Sequence, residues 1–182
     1  MEKVAMIKAV DAPFTGSLYF NAGALARAVE KLAIECWKPT GLSPSQGHIL
    51  YYLIHWSNVT GSTLIARNLL LDPSTVTRLL EKLEKKALVY RFVYDGVWMV
   101  KASQEAWNLE PLITECEFTF RKRCNALLGE ENVDQTCEKL ATTTDILTAR
   151  TSVLMPTEKS AENTDLYDEN INDLISPWSQ EQ

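Results

Sequence analysis

Residues 72–86, Asp-Pro-Ser-Thr-Val-Thr-Arg-Leu-Leu-Glu-Lys-Leu-Glu-Lys-Lys, decide the fold. Asp72 suits an N-cap, and Pro73 suits the first helical position, where a missing N–H costs nothing. Val76, Leu79, Leu80 and Leu83 recur at i, i+3, i+4 and i+7 and form one apolar stripe. At about 100° per residue, the opposite face carries Ser74, Arg78, Glu81, Lys82 and Lys85, with Thr75 and Thr77 beside it near the N-terminal end. Short hydroxyls and an arginine at the start of an exposed face, followed by lysines, suit a helix that meets base edges first and phosphate later. Any solvated surface helix also presents charge, so the flanking sequence must decide.

Upstream, Ser43-Pro44-Ser45-Gln46 is a capping box with proline in the first turn. It opens a helix of about a dozen residues, with Ile49, Leu50, Leu53, Ile54 and Trp56 expected to face inward. Asn58–Ser62 reads as a turn. Ser62 or Thr63 then starts a short helix with Leu64, Ile65 and Leu69 apolar, and Leu71-Asp72 leaves room only for a tight turn. Two helices joined this closely, the second with an exposed cationic face, form a helix-turn-helix. Downstream, Leu88–Tyr94 is aromatic and β-branched, Asp95-Gly96 is a hairpin turn, and Val97–Lys101 is the return strand. The order helix, helix, helix, hairpin is that of a winged helix-turn-helix.

From Leu42 to about Trp107 the chain resembles the MarR family of transcriptional regulators. The matching residues are Leu42-Ser43-Pro44-Ser45-Gln46, the run from Pro73 to Lys86, Leu88-Val89-Tyr90-Arg91, and Val100-Lys101-Ala102-Ser103. The resemblance implies a dimeric winged-helix protein that represses transcription and releases DNA when a small aromatic or anionic effector binds, or when a cysteine is oxidised. That family's wing usually carries Asp-x-Arg near its tip. Here the wing is shorter and has no basic residue between Arg91 and Lys101, so DNA anchoring is expected to rest on residues 73–85.

Residues 20–37 read as a helix with Ala24, Leu25, Ala28, Val29, Leu32 and Ala33 on one face. Ser103 caps a long helix through Leu128, lined by Leu109, Leu112, Cys116 and Phe120 and ended by Gly129. Pro111 should kink that helix or mark a restart. Residues 131–149 form a further helical stretch, with Val133, Cys137, Leu140, Ile146 and Leu147 apolar. By resemblance, these helices interleave with a second copy. The expected fold is therefore mainly α with a small β-hairpin wing, a winged helix-turn-helix plus a helical dimerisation domain. Its parts are an N-terminal segment and dimerisation helix (1–41), a winged helix-turn-helix DNA-binding domain (42–102), C-terminal dimerisation helices (103–150) and an acidic tail (151–182). In the tail, 151–163 reads as a linker, and 164–178 reads either as an amphipathic helix or as disordered chain.

The net charge of −6 is unevenly spread. Residues 126–182 carry three cations against twelve acids, which leaves residues 1–125 at +3. Within 62–102, seven cations face four acids, again +3, and it is the local field that steers DNA. The candidate DNA contacts are Ser74, Thr75, Thr77, Arg78, Lys82 and Lys85, joined by Arg67, Arg91 and Lys101.

Trp37, His48, Tyr51, Tyr52, Trp56 and Trp107 make the region around the second helix aromatic. Of these, Trp37, His48, Tyr52 and Trp107 are candidates for an effector pocket, with core packing as the alternative. His48 and His55 are seven residues apart and share a helix face. Cys124 follows Arg121-Lys122-Arg123 and is the candidate for oxidation. The four cysteines show no C-x-x-C pairing and the histidines no zinc spacing, so neither metal nor cofactor is expected. No nucleophile elbow, phosphate loop, dinucleotide loop or His-Glu-x-x-His occurs, so an enzyme is not expected. No apolar run reaches membrane-spanning length and no signal pattern opens the chain, which points to the cytoplasm and away from membranes. Beside the regulator, a second function remains open: a winged-helix protein–protein scaffold with weakened DNA binding.

Overall fold

The computed structural model describes residue 14 and residues 16–154. The tail helix expected over 164–178 lies outside the described residues. Six helices and three strands follow in the order α1 (Leu18–Trp37), α2 (Pro44–His55), β1 (Val59–Gly61), α3 (Ser62–Asn68), α4 (Pro73–Lys85), β2 (Val89–Tyr94), β3 (Val97–Ala102), α5 (Gln104–Leu128) and α6 (Glu130–Leu154). The fold is that of a winged helix: mostly helical, with one small antiparallel sheet.

Local chemistry explains the element ends. Ser17 accepts from the N–H of Phe20 and opens α1, while Ser103 accepts from the N–H of Ala106 and opens α5. At α2 the capping box closes in both directions, because Ser43 Oγ accepts from Gln46 N–H and Gln46 Oε1 accepts from Ser43 N–H. Asp72 occupies the N-cap of α4, but its side chain makes no capping bond. No glycine ends α3 or α4. Leu70 (φ 52°) and Ala87 (φ 56°) instead take the left-handed conformation. Leu71 N–H then donates to Ala66 C=O, and Leu88 N–H to Leu83 C=O, in the Schellman arrangement. Asp95 and Gly96 both have positive φ, and Tyr94 pairs directly with Val97. That is a two-residue type I′ hairpin, whose twist matches the strands it joins.

The structure corrects four expectations. Val59–Gly61, within the stretch expected to be a turn, is a strand that pairs with β3 through Val59↔Lys101, Thr60↔Val100 and Gly61↔Met99. The sheet order is therefore β1-β3-β2, with β2 at an edge. Trp56 lies one residue past the end of α2, leaves the helical stripe and is 77% exposed. Finally, α5 neither stops nor restarts at Pro111, and α6 runs to Leu154, into the stretch expected to be linker.

The core joins α1, α2, α3, α4, the sheet and α5. Ile49, Leu50 and Leu53 of α2 are fully buried, as are Val76, Leu80 and Leu83 of α4 and Ile113 of α5. Leu109, Leu112 and Phe120 pack on this cluster from α5. Trp37, at the end of α1, is 0% exposed. Full burial of an indole removes roughly 150–250 Å² from water, about 4–6 kcal/mol at ~25 cal/mol per Å² as an upper bound. Its ring lies where α2 has no side chain: a Cβ on Gly47 would fall 1.9 Å from Cζ3 of Trp37.

The described residues divide into two compact units between Val133 and Asp134. In the second unit, the α6 side chains from 134 to 149 are all exposed, with Leu140, Ile146 and Leu147 among them. Among the described residues, no helix is long and apolar enough to cross a membrane.

Two substitutions test this reading with opposite signs. Gly47→Ala should lower unfolding free energy by about 1–3 kcal/mol, despite alanine's better helix propensity, because the new methyl overlaps Trp37. Ala87→Gly should raise it by up to about 1 kcal/mol by relieving the left-handed alanine. Denaturant midpoints with unchanged slopes would measure both.

Candidate nucleic-acid interface and adjoining cavity

Packing of Val76, Leu80 and Leu83 into the core turns the opposite face of α4 to solvent. Ser74, Thr77 and Arg78 are exposed in its first two turns, with Thr75 half-buried beside them. Thr77 Oγ1 donates to the carbonyl of Pro73 at 3.0 Å. Lys82 and Lys85 are exposed one and two turns further on. Arg67 lies exposed in the last turn of α3, and Lys101 is half-buried on β3.

Arg91 is placed differently. Its Nε donates to Glu84 Oε2 at 2.8 Å, and its guanidinium lies 5.9 Å from the ring centre of Trp98. It therefore ties the wing to α4. Lys86 is similarly engaged, donating to the carbonyl of Gly41 at 2.7 Å. Beyond Arg91, the wing exposes Phe92, Val93, Tyr94, Val97 and Trp98 around an Asp95-Gly96 tip.

Beside α2 is a cavity of about 620 Å³, lined by Trp37, His48, Tyr51, Tyr52, Trp56 and Glu117. Asn68 and Leu69 complete it from the end of α3. Three of the four expected pocket residues, Trp37, His48 and Tyr52, meet there. Trp107 does not line the cavity: it lies ten residues before Glu117 on α5, about 15 Å along the helix axis at 1.5 Å per residue. Glu117 and Asn68 were missed by the sequence reading, because nothing local marks them and both come from other helices.

Polar contacts shape the cavity wall. His48 Nε2 and Glu117 Oε2 are 3.3 Å apart, and two turns along α2 His55 Nε2 lies 3.2 Å from Glu110 Oε1. The histidines rise in number as the glutamates fall, so α2 and α5 run antiparallel through two matched pairs. Asn68 Nδ2 donates to the Tyr52 hydroxyl at 2.7 Å. The Trp37 indole meets the His48 ring edge-on at 5.5 Å, and its buried Nε1 has no hydrogen-bond partner among the described residues.

The described cysteines are all free thiols. Cys36 and Cys116 are buried, Cys137 is exposed, and Cys124 is half-buried. Burial chiefly, then Cys36 and Glu115, pushes the Cys116 thiol up, which disfavours its reactive thiolate. Arg123, next to Cys124 in sequence, reaches back to Cys36 Sγ at 3.7 Å. Among the described residues, no cluster of histidine, cysteine and carboxylate could hold a metal.

Two closely joined helices, an antiparallel wing and a long helix packed behind them define the winged helix-turn-helix class. Within that class, residues 42–92 match the family model of the MarR family. Over about three quarters of its length, the chain shares the fold of solved MarR-family transcriptional regulators. It resembles MepR of Staphylococcus aureus, solved as a DNA complex, at 25% identity and a TM-score of 0.59, covering 74% of this chain and 98% of that one. It resembles the transcriptional repressor CouR of Rhodococcus jostii RHA1, solved with p-coumaroyl-CoA, at 20% identity and a TM-score of 0.66, covering 75% and 98%. The regulator SlyA aligns at 18% identity and a TM-score of 0.63, covering 76% and 99%. These last two likenesses concern the fold alone. No curated protein matches the sequence.

Thiol accessibility offers a direct check. Cys137 should react first with an aromatic disulfide reagent, while Cys116 should react only after denaturation. Mass mapping of labelled peptides would show the order, and rapid native labelling of Cys116 would contradict the packing of α1 on α5.

Proposed function

We propose that this chain is a homodimeric transcriptional repressor. It reads a pseudo-palindromic site in double-stranded DNA with α4 and leaves it when a small molecule enters the cavity beside α2. The observation that carries this reading is the exposed cluster Ser74, Thr77 and Arg78 at the start of α4, inside the segment that matches the family. Hydroxyls and arginine can address base edges, with Lys82, Lys85, Arg67 and Lys101 meeting phosphate around them. The MepR structure in complex with DNA supports the DNA partner, and the ligand-bound CouR structure supports a small-molecule effector.

Dimerisation is assigned to residues 1–41 and 103–150. Leu25 and Val29 on α1, and Phe118, Leu127 and Leu128 on α5, are exposed in the single chain. Apolar residues presented in this number favour a second copy, and two-fold symmetry matches two half-sites. No catalytic constellation accompanies them, and a DNA-reading role with four free thiols suits the cytoplasm. One feature favours the scaffold reading: an exposed aromatic wing whose Arg91 is already paired with Glu84.

Two variants separate these readings in fluorescence anisotropy against genomic DNA fragments. Arg78→Ala with Thr75→Ala should cost about 1–3 kcal/mol per lost base contact and flatten sequence preference. Glu84→Gln should free Arg91 for phosphate and steepen the log–log salt dependence by about one unit. Weak, non-selective binding by the parent protein would instead support a scaffold.

A further inference from the structure

We infer that the cavity beside α2 takes a lipophilic organic cation, an aromatic or quaternary onium compound, and discriminates against anions. This rests on the reading of that cavity as the effector site and names the class of ligand it admits.

The lining carries one formal charge, the Glu117 carboxylate, and among the described lining residues there is no lysine or arginine. A charge on His48 would be matched by Glu117 beside it, so the pair offers an acid no net positive charge, and His55, against the Tyr51 ring, faces Glu110 in the same way. An anion placed here would meet a carboxylate and no free cationic side chain.

A cation finds the reverse. Tyr51, Tyr52 and Trp56 contribute accessible rings to the wall, in front of the buried Trp37, and the negative faces of such rings attract positive charge. Trp56 is 77% exposed while lining the cavity, so its indole is available to cover a ligand. Glu117, shared with His48, brings the lining's carboxylate to this wall, and a ligand cation competes with the imidazole for it. The volume, about 620 Å³, suits a ligand of several rings. The anionic effector expected from the sequence resemblance is thus disfavoured by the residues that form this wall.

The test uses three probes of similar shape on the full chain: tetraphenylphosphonium, neutral triphenylphosphine oxide and tetraphenylborate. Binding is read by titration calorimetry and by tryptophan fluorescence. The cation should bind at least roughly tenfold more tightly than the borate. Glu117→Gln should weaken the cation roughly tenfold and leave the neutral probe unchanged, and Trp56→Ala should weaken the cation more than the neutral probe. Tighter binding of the borate, or indifference of the cation to Glu117→Gln, would overturn this inference while keeping the cavity as a ligand site. Failure of all three probes to bind would overturn both the inference and the effector reading.

Discussion

The contact between Trp37 and Gly47 joins the cavity beside α2 to the core beneath α4. An indole with no exposed surface lies against α2 where a side chain is missing. Its ring belongs to the core and lies behind the cavity beside α2. The same ring fixes the end of α1 to the helix that supports α4, because α2 contacts α4 directly. Under the proposed function, a ligand that displaced the aromatic wall would act on packing that reaches α4 through one layer, α2. Close-packed interiors transmit such shifts because they cannot deform freely.

The chain concentrates its positive charge and then pairs part of it away. Lys86 is held by the Gly41 carbonyl and Arg91 by Glu84, so both contribute to internal geometry. The outward charge that remains is carried by Arg78, Lys82 and Lys85 along one helix face, with Arg67 nearby. A surface of this kind favours contacts made by α4 over broad electrostatic adhesion. The wing, apolar and tied down by Arg91, has a different chemistry from the helix beside it.

Much of this was legible in the sequence because it is local. The capping box at Ser43–Gln46, the stripe through Val76 and Leu83, and the Asp95-Gly96 turn each depend on residues within a few positions of one another. What escaped is non-local or runs against propensity. β1 exists only because β3 presents an unpaired edge to Val59–Gly61. The ends of α3 and α4 carry no glycine signal, since Leu70 and Ala87 adopt left-handed backbone held by Schellman bonds. The cavity was half visible: aromatic residues on α2 marked the place, whereas Glu117, sixty-nine residues from its partner His48, could not be located from spacing. Trp107 shared the composition of that region but not its position.

The second compact unit carries a consequence for how the protein is ordered. From 134 to 149, α6 buries no side chain in its own chain, and it contains the β-branched run Thr142-Thr143-Thr144. Helices without a buried face are marginal in water, and three threonines in succession weaken them further. Association that covered Leu140, Ile146 and Leu147 would supply the missing burial, so secondary structure in this segment becomes coupled to protein concentration. Helix content measured on a dilute sample would then report assembly as much as folding.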